Sequence, residues 1–247
     1  MFESNPFSQQ QKVIQVPLRD SNKEWDEKFS SLMTDNFLSR KYNRARRLND
    51  HLGYLQKLAP EVLLNENSGS YVVDIGPGPG ELLEICRALG YKTKGFDAKL
   101  EDCEMGRPYL ELSMLMSERQ DLDIDYCGFE NTFCSMPIEN DSTFLVNSRG
   151  SIEQVFKRHL EGVPHKIHHD ASRLAWTFSD DMRNDFLDLF KSVYRILVQG
   201  GIFLIYGNGS SNIGEYHDFI MTILGEIPNL RCELTDGRTI HKIRKVR

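Results

Sequence analysis

Val72-Val73-Asp74-Ile75-Gly76-Pro77-Gly78-Pro79-Gly80-Glu81 is the stretch on which the reading of this chain turns. A short β-branched run, Tyr71 to Ile75, leads into a Gly-x-Gly-x-Gly cluster. Glu81 to Leu89 then places Leu82, Leu83, Ile85, Cys86 and Leu89 at helical spacing. Strand, glycine turn and helix together make a tight bend whose backbone can approach a ligand closely. The helix start beyond it offers N–H groups and the positive end of a dipole. Lys92 to Phe96 reads as the next strand and ends at Asp97, where a carboxylate can accept hydrogen bonds from both hydroxyls of a ribose.

Outward from this core the same alternation continues. Asp123 to Cys127 is a weak third strand and Thr143 to Val146 a fourth, followed by a helix from Ser151 to about His159. Phe186, Phe190, Val193 and Leu197 recur at i, i+4, i+7 and i+11, an amphipathic helix that Gly200-Gly201 is expected to stop. Ile202 to Tyr206 is a buried strand. A helix from about Ile213 to Leu224 then precedes strands near Arg231 to Leu234 and Thr239 to Val246, with a hairpin turn signal at Asp236-Gly237. The fold expected is a doubly wound, Rossmann-like α/β domain over residues 66–247, with a seven-stranded, mostly parallel sheet closed by a C-terminal antiparallel hairpin. Residues 1–65 form an N-terminal arm and helical extension; Leu48, Leu52 and Leu55 share one helical face there, and Pro60 ends that helix.

Composition narrows the function classes. With 247 residues, 40 % hydrophobic and 27 % charged, the chain has the profile of an ordinary globule able to bury its own core. Thirty Lys and Arg against 36 Asp and Glu give a formal charge of −6, opposite to the excess a nucleic-acid binder usually carries. Nucleic acid is therefore disfavoured as partner. Cys86, Cys103, Cys127, Cys134 and Cys232 form no C-x-x-C pair, which suggests free thiols in a reducing compartment rather than a zinc site or disulfide framework. Residues 1–15 lack an apolar signal core and no apolar run is long enough to span a bilayer, so a cytoplasmic location is expected.

The glycine loop and Asp97 would also suit NAD. Two details argue otherwise: the spacing is G-x-G-x-G rather than G-x-G-x-x-G, and Asp74 precedes the first glycine by two residues. A carboxylate there opposes a pyrophosphate but suits a cationic ligand. At these residues the chain resembles class I S-adenosylmethionine-dependent methyltransferases. Val73 to Gly80 looks like their first motif and Gly95-Phe96-Asp97 like their second. Met136 to Val146 resembles their approach to strand four, and Tyr194 to Ile205 their entry into strand five. The resemblance implies S-adenosylmethionine as cofactor, with Asp74, Gly76, Gly78 and Gly80 lining its methionine and ribose portions and Asp97 on the ribose hydroxyls. By offset it implies adenine contacts at Phe133 and Cys134. The family usually has an acid at the first of these positions, and Phe133 would have to stack on the ring instead. Thr143 to Val146 also lacks the family's usual aspartate.

Methyl transfer from a sulfonium needs alignment first and a base only for some acceptors. The clefts of such a sheet open past the strand carboxyl ends. Asn147 and Ser148 are placed there to contact the cofactor, and Arg149 to hold an anionic acceptor. His165-Lys166-Ile167-His168-His169-Asp170 supplies the candidate base: His169 or His168, oriented by Asp170. Without a recognisable ligand spacing, no metal is expected. Arg44 and Tyr42, with Trp25, belong to an N-terminal helix whose basic run either is solvated or grips the acceptor. The reading is an enzyme that O-methylates a small-molecule or sugar-type acceptor. An RNA- or protein-directed methyltransferase and a non-catalytic cofactor-binding regulator remain as alternatives.

Overall fold

The computed structural model describes residues 44–64, 67, 69–78, 80–97, 122–126, 136–152, 180–206, 213–236 and 240–247. In chain order these form α1 (Arg44–Leu58), α2 (Pro60–Leu63), β1 (Tyr71–Ile75), α3 (Glu81–Ala88), β2 (Lys92–Asp97), β3 (Ile124–Tyr126) and β4 (Thr143–Arg149). The succession ends with α4 (Asp180–Ile196), β5 (Leu197–Tyr206), α5 (Ile213–Gly225), β6 (Leu230–Asp236) and β7 (Ile240–Lys245). The strands make one seven-stranded sheet in the order β3-β2-β1-β4-β5-β7-β6. Neighbours from β3 to β5 run parallel, while β7 is antiparallel to both β5 and β6. The doubly wound sheet and its closing hairpin are thus as the sequence suggests, with the last strand inserted between the fifth and sixth.

Alternation along each strand builds two cores. Val73, Ile75, Val146, Phe203, Ile205 and Ile243 face α4 and α5, where Phe186 meets Phe219 edge-on at 4.9 Å and Phe190 meets Phe203 at 5.2 Å. Val72, Leu145, Ile202, Leu204 and Ile240 face α1, α2 and α3, against Leu48, Leu55, Leu58, Val62, Leu82 and Ile85. The described part of the N-terminal extension therefore shares a core with the sheet. Pro60 separates α1 from α2 as expected and occupies the first turn of α2, where its missing N–H costs nothing.

One boundary differs from expectation. Helix α4 ends at Ile196, and Gly200-Gly201 lies inside β5 rather than before it. Thr143 pairs with Leu197 and Leu145 with Ile202, so residues 198–201 bulge out of the ladder. A Cβ on Gly201 would stand 2.8 Å from the Val198 carbonyl oxygen and 3.1 Å from that of Thr143; the glycine is there for backbone to pass backbone.

The amino ends of the parallel strands are tied by two cations. The Lys245 ammonium donates to the carbonyls of Leu197 (2.8 Å) and Tyr194 (3.0 Å) and to Asp141 (2.6 Å). Arg195 donates to the carbonyls of Met136 (2.7 Å) and Ile138 (2.8 Å) and to Asn140. Together they cap the last turn of α4 and pin the segment that leads into β4.

Candidate functional site

At the carboxyl end of β1 the chain leaves the sheet through Gly76, Gly78 and Gly80, all left-handed, with φ of 71°, 57° and 84°. At Gly76 no other residue fits, because a Cβ would also run into the Ser151 side chain. The Gly76 N–H donates to the Phe96 carbonyl at 2.7 Å and the Gly80 N–H to that of Pro77 at 3.0 Å, which ties the loop to β2 and closes its turn. Gly95 of β2 lies directly beneath, where a Cβ would crowd Pro77, Leu83 and Ile124 at 2.9–3.1 Å. Gly80 is the N-cap of α3, and no side chain caps that end.

Two carboxyl groups flank the loop. Asp97 is half-buried at the end of β2, one position past the Ile75–Phe96 pair. Asp74 is 3 % exposed and accepts a 2.7 Å hydrogen bond from the Asn147 amide, its partner across the β1–β4 ladder. Burial pushes the Asp74 carboxyl up to about 7, opposed by the Asn147 bond and reinforced by Asp97 and Glu81. The Asn147 carbonyl oxygen is buried and has no hydrogen-bond partner. Ser148 points to the opposite face, where its hydroxyl accepts from the Ile152 N–H at 3.2 Å. It holds the turn after β4 instead of facing the glycine loop.

Helix α1 covers this end of the sheet. Arg47 makes a 3.0 Å ion pair with the buried Glu81 and passes within 3.9 Å of where a Gly78 Cβ would stand. Arg149, the last residue of β4, sits over the rings of Tyr206 (5.5 Å from the centroid) and Tyr54 (5.9 Å), which meet each other edge-on at 5.7 Å. Burial holds His51 neutral, its pKa lowered to about 3, with Arg149 and Arg47 adding to the effect. Burial likewise drives the Tyr54 phenol well above its ordinary range. The Nδ1 of His51 and the hydroxyl of Tyr54 are both buried without a hydrogen-bond partner.

Of the residues singled out from sequence, the fold brings Asp74, Gly76, Gly78, Gly80, Asp97, Asn147 and Arg149 to one end of the sheet. Phe133, Cys134, Tyr42, His168, His169 and Asp170 lie outside the described residues, and Arg44 is described only as backbone in α1. Sequence reasoning did not single out His51, Tyr54, Arg47, Glu81 or Tyr206. A signal for the first two was present: His51 and Tyr54 fall on the same helical stripe as Leu48 and Leu55, a polar pair where the pattern is otherwise apolar. Among the described residues no group of three potential metal ligands occurs, and no helix is long and apolar enough to cross a membrane.

No family model matches the chain, and no curated protein matches it. Solved structures do. The chain is similar to a SAM-dependent methyltransferase from Methanosarcina mazei at 10 % identity, covering 76 % of this chain and 98 % of that one, with a TM-score of 0.42. It is similar to a SAM-dependent methyltransferase from Archaeoglobus fulgidus at 10 % identity, covering 79 % and 74 %, also with a TM-score of 0.42. A protein from Pyrococcus horikoshii OT3 aligns at 12 % identity over 87 % of this chain and 93 % of its own, with a TM-score of 0.43. Likenesses this distant carry no activity; that has to come from the residues.

Proposed function

We propose that this chain is an S-adenosylmethionine-dependent methyltransferase that O-methylates a small-molecule or sugar-type acceptor. One observation carries the reading: two carboxyl groups, Asp74 and Asp97, flank a loop of three left-handed glycines at the carboxyl end of the central strand. A dinucleotide's pyrophosphate would meet like charge there, whereas a ligand with a cationic end and a ribose finds both its partners. The residues fit such a ligand. Asp97 would accept from the ribose hydroxyls. The glycine-loop backbone would lie along the ligand, and the Asp74–Asn147 pair, with its spare carbonyl oxygen, would face the amino-acid end.

Bound there, S-adenosylmethionine supplies an already activated methyl group. The chain's part is to orient the acceptor, to exclude water with α1, and to take a proton where the acceptor needs it. Phe133 and Cys134 remain the candidate adenine contacts, and His169, His168 and Asp170 the candidate base. Tyr42 and Arg44 remain candidate acceptor contacts.

Calorimetric titration with S-adenosylmethionine, its demethylated product and NAD tests the reading. Micromolar binding of the first two and none of NAD is expected. Binding of NAD alone would overturn the cofactor assignment. Tight donor binding with no turnover across hydroxylated acceptors would mark a non-catalytic regulator instead.

A further inference from the structure

We infer that Arg149, with Tyr54, Tyr206 and His51, forms a seat for the carboxylate of the acceptor, so that the substrate is a flat carboxylic acid. The inference rests on the methyltransferase reading for the word acceptor, but the seat itself is argued from unmet bonding capacity. Arg149 has five N–H donors, yet among the described residues it makes no hydrogen bond and no ion pair within 4 Å; it lies against the two tyrosine rings, and its charge also acts on Asp74. A half-buried guanidinium in that condition is uncommon, because each unmet donor in a partly dehydrated place costs free energy. Its surroundings are unmet as well. Among the described residues the Tyr54 hydroxyl and His51 Nδ1 are buried without partners, and His51 is itself 5 % exposed. Arg149 lies 5.9 Å from the centroid of the Tyr54 ring, and His51 precedes Tyr54 by one turn of α1.

Charge and shape select the anion. Among the described residues of this cluster, Arg47 pairs with Glu81 at 3.0 Å, whereas Arg149 lies against the two tyrosine rings. Arg149 already offsets part of the Asp74 charge, so a singly charged anion is tolerated beside these carboxyl groups better than a phosphate dianion. The two ring centroids lie 5.9 and 5.5 Å from the guanidinium carbon, and a planar carboxylate matches a guanidinium edge with two parallel hydrogen bonds. The same rings offer a wall for a flat, apolar body behind the carboxylate. Neutral His51 and the Tyr54 hydroxyl add hydrogen bonds without adding charge.

The test uses the full chain and three probes, each titrated by calorimetry: benzoate, benzamide and inorganic phosphate. Benzoate is expected to bind in the millimolar range and benzamide, its uncharged counterpart, at least about tenfold more weakly. This comparison needs no variant and so cannot fail through misfolding. Arg149→Gln is expected to weaken benzoate by about tenfold or more. Tyr54→Phe is expected to weaken it severalfold while leaving the thermal midpoint unchanged or higher, since it deletes a hydroxyl without a partner. Equal binding of benzoate and benzamide, preference for phosphate, or unchanged benzoate affinity in both folded variants would overturn the seat. Titration with S-adenosylmethionine separates the two ideas: donor binding without a benzoate site leaves the methyltransferase reading standing alone, and the reverse result leaves the seat standing alone.

Discussion

The two ends of the sheet treat their cations in opposite ways. At the amino end, Lys245 is 8 % exposed and meets two carbonyls and a carboxylate, and Arg195 meets two carbonyls and an amide. At the carboxyl end, among the described residues, Arg149 meets two aromatic rings and no hydrogen-bond acceptor, and the buried His51 Nδ1 and Tyr54 hydroxyl have no partner. Both ends belong to the same strands and the same cores. The first end spends the donors of these two cations on folding; the second holds those of Arg149 back, at a cost in stability, for something that arrives later. The difference teaches where to look for function in such a fold: at polar groups left unmet among the described residues.

Four experiments can break or sharpen this contrast. The largest effect is expected for Gly76→Ala. It puts a side chain at a φ of 71°, costing about 1–2 kcal/mol, and drives its Cβ into Ser151 as well. Denaturant unfolding should show the loss, and donor titration should show no remaining binding. Lys245→Met should come next, at about 2–3 kcal/mol of stability, because it strands two carbonyls that the ammonium now serves. Its donor affinity should stay within twofold of the parent, and a marked change would collapse the distinction between the two ends. Asp97→Ala should weaken donor binding by about 1–3 kcal/mol, measured by calorimetry on the folded variant. Unchanged affinity would remove Asp97 from the site.

The smallest effect is a pH dependence. The Asp74 carboxyl is raised from 3.8 to about 7 in the fold, so it favours folding most fully below about pH 4. That contribution is given up as pH rises through 7. A cationic donor prefers the ionised form, so donor affinity should rise severalfold between pH 6 and pH 8. Asp74→Asn should flatten the profile, measured calorimetrically across that range.

Much of the fold was legible because strand and helix periods are local. The Tyr71–Ile75 strand, the glycine loop and the α3 helix follow one another with nothing between them, and Asp97 closes the next strand. Gly200-Gly201 was misplaced because a glycine pair after a helical stripe reads as a stop. Only the partner strand shows that it serves a bulge where β5 crosses the Thr143 carbonyl. The acceptor side was hardly legible at all. Tyr54, Arg149 and Tyr206 lie on a helix and two strands far apart in sequence, and no motif links them; α1 packing across the sheet brings them together. Arg149 was noticed for its place after β4, but its lack of a partner is a property of three dimensions.

The place of β7 between β5 and β6 sets an order of assembly. During synthesis β5 leaves the ribosome long before the strand that will pair with its open side. β6 emerges next, ahead of its neighbour, since among the described residues it pairs with β7 alone. Until residues 240–245 are free of the exit tunnel, the rim of β5, with Ile202, Phe203, Leu204 and Ile205 in register for a partner, is an apolar edge open to any passing strand. The nascent chain therefore exposes this edge for the interval between the emergence of β5 and that of β7, and a holding chaperone would matter most then.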